Sequence, residues 1–231
     1  MRRLSLPSRA DLTAWARDYA YAARRLADGR LRRSRAGDYR RPGTSMPAVV
    51  LIPGIYESWT FMRPVADLLR DHGYDVHGVD TLRDNRGTIE DMAQRVDEHI
   101  RAEGVTSCVL VAHSKGGLIG KYLLAHHNAA TVIQGLVAVN TPFNGSALAR
   151  LVPLPAVRVF MPKSPQLVKL TAAAHVNASI VSIYGTFDPH IPGGSHLEGA
   201  RNVRLETRGH FLPLSDPLVH RAILEAIASM A

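Results

Sequence analysis

The chain has 231 residues, 46% hydrophobic and 21% charged, which fits one compact domain with a substantial core and excludes a disordered or collagen-like protein. A single cysteine, Cys108, excludes an internal disulfide framework and a Cys-rich zinc site. The net charge of +8 lies wholly in residues 1–41, with twelve Arg against four Asp, while residues 42–231 balance sixteen basic with sixteen acidic side chains, so no nucleic-acid surface is expected.

Met1–Pro7 is positively charged but lacks the apolar stretch of roughly 7–15 residues that makes a secretory leader, which points to the cytoplasm. No apolar run approaches the roughly 18–20 residues that cross a bilayer. Asp11 to Ala27 reads as a helix, with Leu12, Trp15, Tyr19, Ala22, Ala23 and Leu26 at three- and four-residue steps. Arg17, Arg24 and Arg25 fall on the opposite side. Gly29 reads as the stop, and Arg30–Arg41 as a basic, loop-like linker. Residues 1–45 are thus a basic amphipathic segment and residues 46–231 the main domain. The Trp15/Tyr19 stripe is expected to dock on that domain and leave the arginines in solvent. The alternative is peripheral contact of residues 1–41 with an anionic membrane, at about 1 kcal/mol per basic residue.

From residue 48 short apolar runs alternate with helical patterns. Ala48–Ile52 is a continuous apolar run closed by Pro53-Gly54, as for a strand buried on both faces. A helix over Trp59–His72, a strand over Asp75–Val79 and a helix over Thr88–Glu103 follow, the last with Thr88 as N-cap. A strand at Ser107–Ala112 leads into a helix at Lys115–His126, then a strand at Val132–Val139. Strands at Ser179–Tyr184 and Asn202–Leu205 precede a closing helix over Pro217–Met230. This order predicts a doubly wound α/β domain with a mostly parallel sheet of about six strands. The Pro-rich, apolar insertion at about 141–178, whose only charges are basic, reads as a short cap over a pocket.

The chemistry concentrates at Ala112-His113-Ser114-Lys115-Gly116-Gly117. A serine between a buried strand and a helix, with small residues two places either side, demands a sharp turn that lifts its hydroxyl above the sheet. The following helix aims free N–H groups at any oxyanion forming there.

Through this stretch and the strand–helix order, residues 48–231 resemble the α/β-hydrolase fold, specifically its lipase and esterase branch, in reduced form. Ala112 stands for the first Gly of the G-x-S-x-G elbow, as in lipases with an A-H-S-x-G-G elbow. The resemblance implies Ser114 as nucleophile and an acid then a histidine further along. Asp188, Glu198 and Glu206 are the acids between Ser114 and His210, and Asp188 sits where the fold places its acid, after the fifth strand. His210 follows the sixth strand and is the expected base, with His190 too near Asp188 for that role. The implied oxyanion donors are the backbone N–H groups of Lys115 and Ile55, the latter in a turn where related lipases often carry His-Gly and this chain has Pro53-Gly54.

Tyr56, Phe143, Leu151, Phe160 and Phe211 are expected to line the substrate pocket. His113 is expected to pack away from the nucleophile, Cys108 to be inert core, and the Lys115 ammonium to face solvent or a surface acid. No cofactor or metal is expected: His72 with His77, and His126-His127, lack convergent carboxylates. The resemblance implies a serine hydrolase of carboxylic esters with apolar acyl groups, its substrate a small molecule or lipid ester. Thioesters, amides and lactones suit the same three residues. A protein of another class, binding a membrane surface or a partner with the three residues vestigial, is the remaining alternative.

Overall fold

The computed structural model describes residues 9–31, 34–128, 130–152 and 154–230; Met1–Pro7, read above for a leader, lie outside them. Six strands form one parallel sheet in the order β2-β1-β3-β4-β5-β6. They are β1 (Ala48–Ile52), β2 (Val76–Gly78), β3 (Cys108–His113), β4 (Ile133–Val139), β5 (Ile180–Phe187) and β6 (Arg201–Arg208). The helices are α1 (Arg9–Leu31), α2 (Arg63–Asp71), α3 (Ile89–Ala102), α4 (Lys115–His126), α5 (Pro165–Ala172) and α6 (Pro217–Ala228). The chain moves outward from β1 to β2, crosses back through α3 to β3, and then steps to β6. The strand order therefore reverses between β1 and β3, where open α/β sheets place their ligands.

The apolar runs alternate between two cores. Val50, Ile52, Leu110 and Leu136 face α3, α4 and the insertion, whereas Val49, Leu51, Val109 and Val137 face α2 and α6. Both faces of the central strands are covered, which is why their sequences are continuously apolar. Thr88 caps α3 by accepting from the Asp91 N–H at 3.0 Å. Trp59–Met62, expected as the first turn of α2, is a 3-10 turn before Arg63.

α1 departs from expectation at both its ends and its faces. It passes through Gly29, where a Cβ would lie 2.7 Å from Thr60 Oγ1; this glycine permits a close approach and does not end the helix. The expected stripe docks in part: Ala22 is buried and Tyr19 meets His190 and Phe211, but Leu12, Trp15, Tyr19 and Leu26 stay 38–50% exposed, and the fully docked face also carries Asp18 and Arg25. Arg25, expected in solvent, donates to the carbonyls of Thr60 (2.8 Å) and Phe61 (3.4 Å) and pairs with Asp28. The described part of the predicted linker is also folded. Tyr39 is buried and donates to Asp67, and Arg40 pairs with Asp75 and Glu103.

The insertion runs through 3-10 turns at Ala147–Leu151 and Pro155–Phe160, then α5 and a further 3-10 turn at Ala174–Ser179. Phe143, Phe160, Leu167 and Leu170 tie it to the core beneath.

Candidate active site

The turn between β3 and α4 holds Ser114 at φ +51° and ψ −120°, a conformation side-chain-bearing residues rarely adopt. Its neighbours make the turn possible. A Cβ on Gly116 would lie 2.1 Å from the Ile52 carbonyl oxygen, and one on Gly117 2.0 Å from Thr141 Oγ1. Lys115 is the first residue of α4, so its N–H has no intrahelical acceptor.

His210 and Asp188 arrive from the ends of neighbouring strands. Asp188 directly follows β5; its Oδ1 accepts the N–H groups of His190 (2.7 Å) and Ile191 (3.0 Å), which leaves Oδ2 aimed at His210. His210 Nδ1 lies 2.8 Å from that Oδ2, and its Nε2 lies 3.0 Å from Ser114 Oγ. All three side chains are almost entirely buried. Burial alone would raise the Asp188 pKa, but the charge and hydrogen bond of His210, with the His190 N–H, hold it below the usual carboxylate value. The anion is thus available to orient an imidazole and stabilise an imidazolium.

Further polar residues surround these three. Glu57, buried in the turn after β1, accepts from the Gly54 N–H at 2.7 Å and contacts His113 Nδ1 at 2.9 Å. His113 packs behind Ser114 with Nε2 3.0 Å from the His210 carbonyl oxygen. Burial would depress its pKa, but Glu57's charge and hydrogen bond outweigh that and raise it. His190 stacks on His210 at 4.6 Å and shares a 2.9 Å hydrogen bond with the Tyr19 hydroxyl. Burial, with His210 alongside, lowers its pKa to about 3, which keeps the ring neutral. Asp18, Glu57 and this contact of His190 escaped the sequence reading. The available signal was a lone acid in the turn after β1 and another next in sequence to Tyr19 of α1.

Lys115 contradicts its expected exposure. Only 1% exposed, its ammonium donates to the carbonyl oxygens of Gly87 (2.6 Å) and Asn85 (2.8 Å), and desolvation lowers its pKa to about 8. Three backbone and amide acceptors in the loop before α3 satisfy it, so the long side chain reaches inward. Cys108 is buried, and desolvation pushes its thiol up to about 12.

Ser114 and His210 open onto an apolar cavity of about 490 Å³. Ile55, Tyr56, Phe160 and Phe211 line it, as do Trp15, Tyr19 and Leu26 of α1. Phe143 and Leu151 are corrections. Phe143 packs in the core under the insertion, and Leu151 is 76% exposed at the end of a 3-10 turn; neither lines the cavity. Among the described residues no three His, Cys, Asp or Glu side chains are grouped to hold a metal, and no helix is long and apolar enough to cross a membrane.

A doubly wound sheet with a serine on a strained strand-to-helix turn defines a class, and the comparisons agree with it. Residues 47–178 match the family model of the alpha/beta hydrolase fold, and the chain belongs to that family. No curated protein matches the chain. Among solved structures it is similar to the Paleococcus ferrophilus monoacylglycerol lipase, with 19% identity and a TM-score of 0.57 over 80% of this chain and 96% of that one. It is also similar to the mature lipase BlEst2 of Bacillus licheniformis, at 19% identity and TM-score 0.57, covering 81% and 94%. The enol-lactonase of Burkholderia xenovorans LB400 aligns at 16% identity and TM-score 0.57, covering 82% and 94%. At these identities the likeness establishes the fold alone.

Proposed function

We propose that the protein is a serine hydrolase that cleaves carboxylic esters with an apolar acyl group, with Ser114, His210 and Asp188 as its catalytic triad. The observation that carries this reading is the 3.0 Å approach of His210 Nε2 to Ser114 Oγ at the floor of an apolar cavity. Ser114 Oγ attacks the ester carbonyl carbon and its proton passes to His210 Nε2, while Asp188 holds the ring and stabilises the imidazolium. The oxyanion is received by the N–H groups of Lys115 and Ile55, whose individual loss typically costs about 3 kcal/mol of transition-state stabilisation. Collapse expels the alcohol, which takes the proton from His210. Water, deprotonated by His210, then releases the acid and regenerates Ser114.

The apolar lining from Trp15, Leu26 and Phe160 favours an acyl chain over a charged substituent. Peripheral membrane contact through residues 1–41 is left with fewer free cations than their number suggests, because Arg25 and Arg40 are engaged within the fold. The test is a panel of p-nitrophenyl esters graded by acyl length, with a thioester and a lactone alongside. Turnover that rises with chain length until the cavity is filled, and that disappears in Ser114→Ala, is expected; turnover persisting in that variant refutes the assignment.

A further inference from the structure

The main chain of His210 is gripped from both sides, and one grip comes from outside the sheet domain. Asp18 of α1, fully buried, accepts the N–H of His210 on Oδ2 (2.9 Å) and those of Phe211 and Leu212 on Oδ1 (2.8 Å each). Gly209 permits this closure: its φ is +113°, and a Cβ there would lie 2.5 Å from Asp18 Oδ1. On the other side the His210 carbonyl accepts from Asn140 Nδ2 and meets His113 Nε2, both at 3.0 Å. The two ring nitrogens of His113 thus face two acceptors, Glu57 Oε2 and the His210 oxygen, and imidazolium satisfies both. Since Glu57 also holds the Gly54 N–H, one chain of hydrogen bonds runs from the turn carrying Ile55 through the His210 loop to α1.

Docking α1 does not by itself require a buried carboxylate. Arg25 on the Thr60 and Phe61 carbonyls, and Asp28 with Arg25 and Arg63, already fasten the helix. A buried anion carries a desolvation cost, and Asp is a poor residue for a helix interior. Its three N–H donors belong to the one loop that carries His210.

We propose that Asp18 is a positioning residue for catalysis, which makes the N-terminal helix part of the active site: its carboxylate fixes the His210 loop so that Nε2 stays on Ser114 Oγ. The proposal rests on the reading of Ser114 and His210 as nucleophile and base.

The test uses the full chain with p-nitrophenyl butyrate. Asp18→Asn keeps an acceptor for Phe211 and Leu212 but turns an amide toward the His210 N–H. It should lower kcat about 10- to 100-fold with KM within about twofold, the scale of a slight misplacement of a reacting group. Asp28→Ala, which cuts the Arg25 and Arg63 pairs and leaves the His210 loop alone, should lower the melting temperature and spare kcat. Wild-type kcat in Asp18→Asn, or an equal loss of kcat in Asp28→Ala, would overturn the proposal. If Asp18→Asn does not fold, hydrogen exchange on the wild type decides. The amides of His210, Phe211 and Leu212 should be as protected as those of β5, and exchange at the rate of an open loop would refute the grip. Full turnover by Ser114→Ala would remove the underlying reading, whereas an inactive Ser114→Ala beside an unimpaired Asp18→Asn would remove this inference only.

Discussion

Gly116→Ala tests the steric basis of the Ser114 turn with the addition of one methyl group. The new Cβ would sit 2.1 Å from the Ile52 carbonyl oxygen and 2.9 Å from that of Pro53, so it meets main chain that has no rotamer with which to escape. The first distance is about 1.3 Å short of the 3.4 Å at which ordinary contact begins. The end of β1 and the start of α4 must separate by roughly that amount, and they flank Ile55 and Lys115, whose N–H groups are the proposed oxyanion donors. Overpacking of this kind costs about 1–3 kcal/mol, or about 2–12 °C in melting temperature for a domain of this size. Under the proposed mechanism, a displacement near 1 Å between those N–H groups and Ser114 costs on the order of 100-fold in kcat/KM. Thermal unfolding and ester kinetics measure the two effects, with Gly37→Ala as the control, since a Cβ at Gly37 meets nothing within 4 Å. Unchanged stability and kcat/KM in Gly116→Ala would refute the reasoning.

Three further outcomes follow from the same structure. Lys115→Met strands the buried carbonyls of Asn85 and Gly87, and urea unfolding should show a loss of about 2–4 kcal/mol; a loss below 1 kcal/mol would contradict the role given to the ammonium. The raised pKa of His113 contributes stability that is complete below its ordinary 6.5 and is lost as pH rises through the higher folded value. The stability gap between wild type and Glu57→Gln should therefore narrow with rising pH over that window, and a gap that widens would give the wrong sign. Leu26→Ala and Trp15→Ala should raise KM for long-chain esters by about tenfold while short-chain esters change little, if α1 forms a wall of the acyl site. Equal effects on both lengths would place these side chains outside it.

The sheet was legible because each central strand is apolar on both faces and ends in a turn signal, so local pattern and tertiary role coincide. The approach of Ser114, Asp188 and His210 was legible for a related reason: each follows a strand, and parallel strands bring those ends to one edge. The faces of α1 were legible only in part, because the cavity it lines is itself apolar. The Trp15, Tyr19 and Leu26 stripe faces that space, while Asp18 and Arg25 go inward, where backbone partners satisfy them. Those partners lie 192 residues away for Asp18 and 35 for Arg25, beyond the reach of a helical period. Lys115 went wrong similarly, because its acceptors are main-chain oxygens that no sequence pattern reveals. Leu151 was misplaced because a short 3-10 turn does not keep the period from which facing is judged, and Phe143 because the core beneath the insertion claims it before the cavity does.

The most direct measurement of the central claim is peptide mass spectrometry of the protein after reaction with a fluorophosphonate. One adduct on Ser114, abolished in His210→Ala and strongly slowed in Asp188→Asn, is the result these contacts predict. A folded protein that takes no label, or takes it on a different serine, would contradict the account.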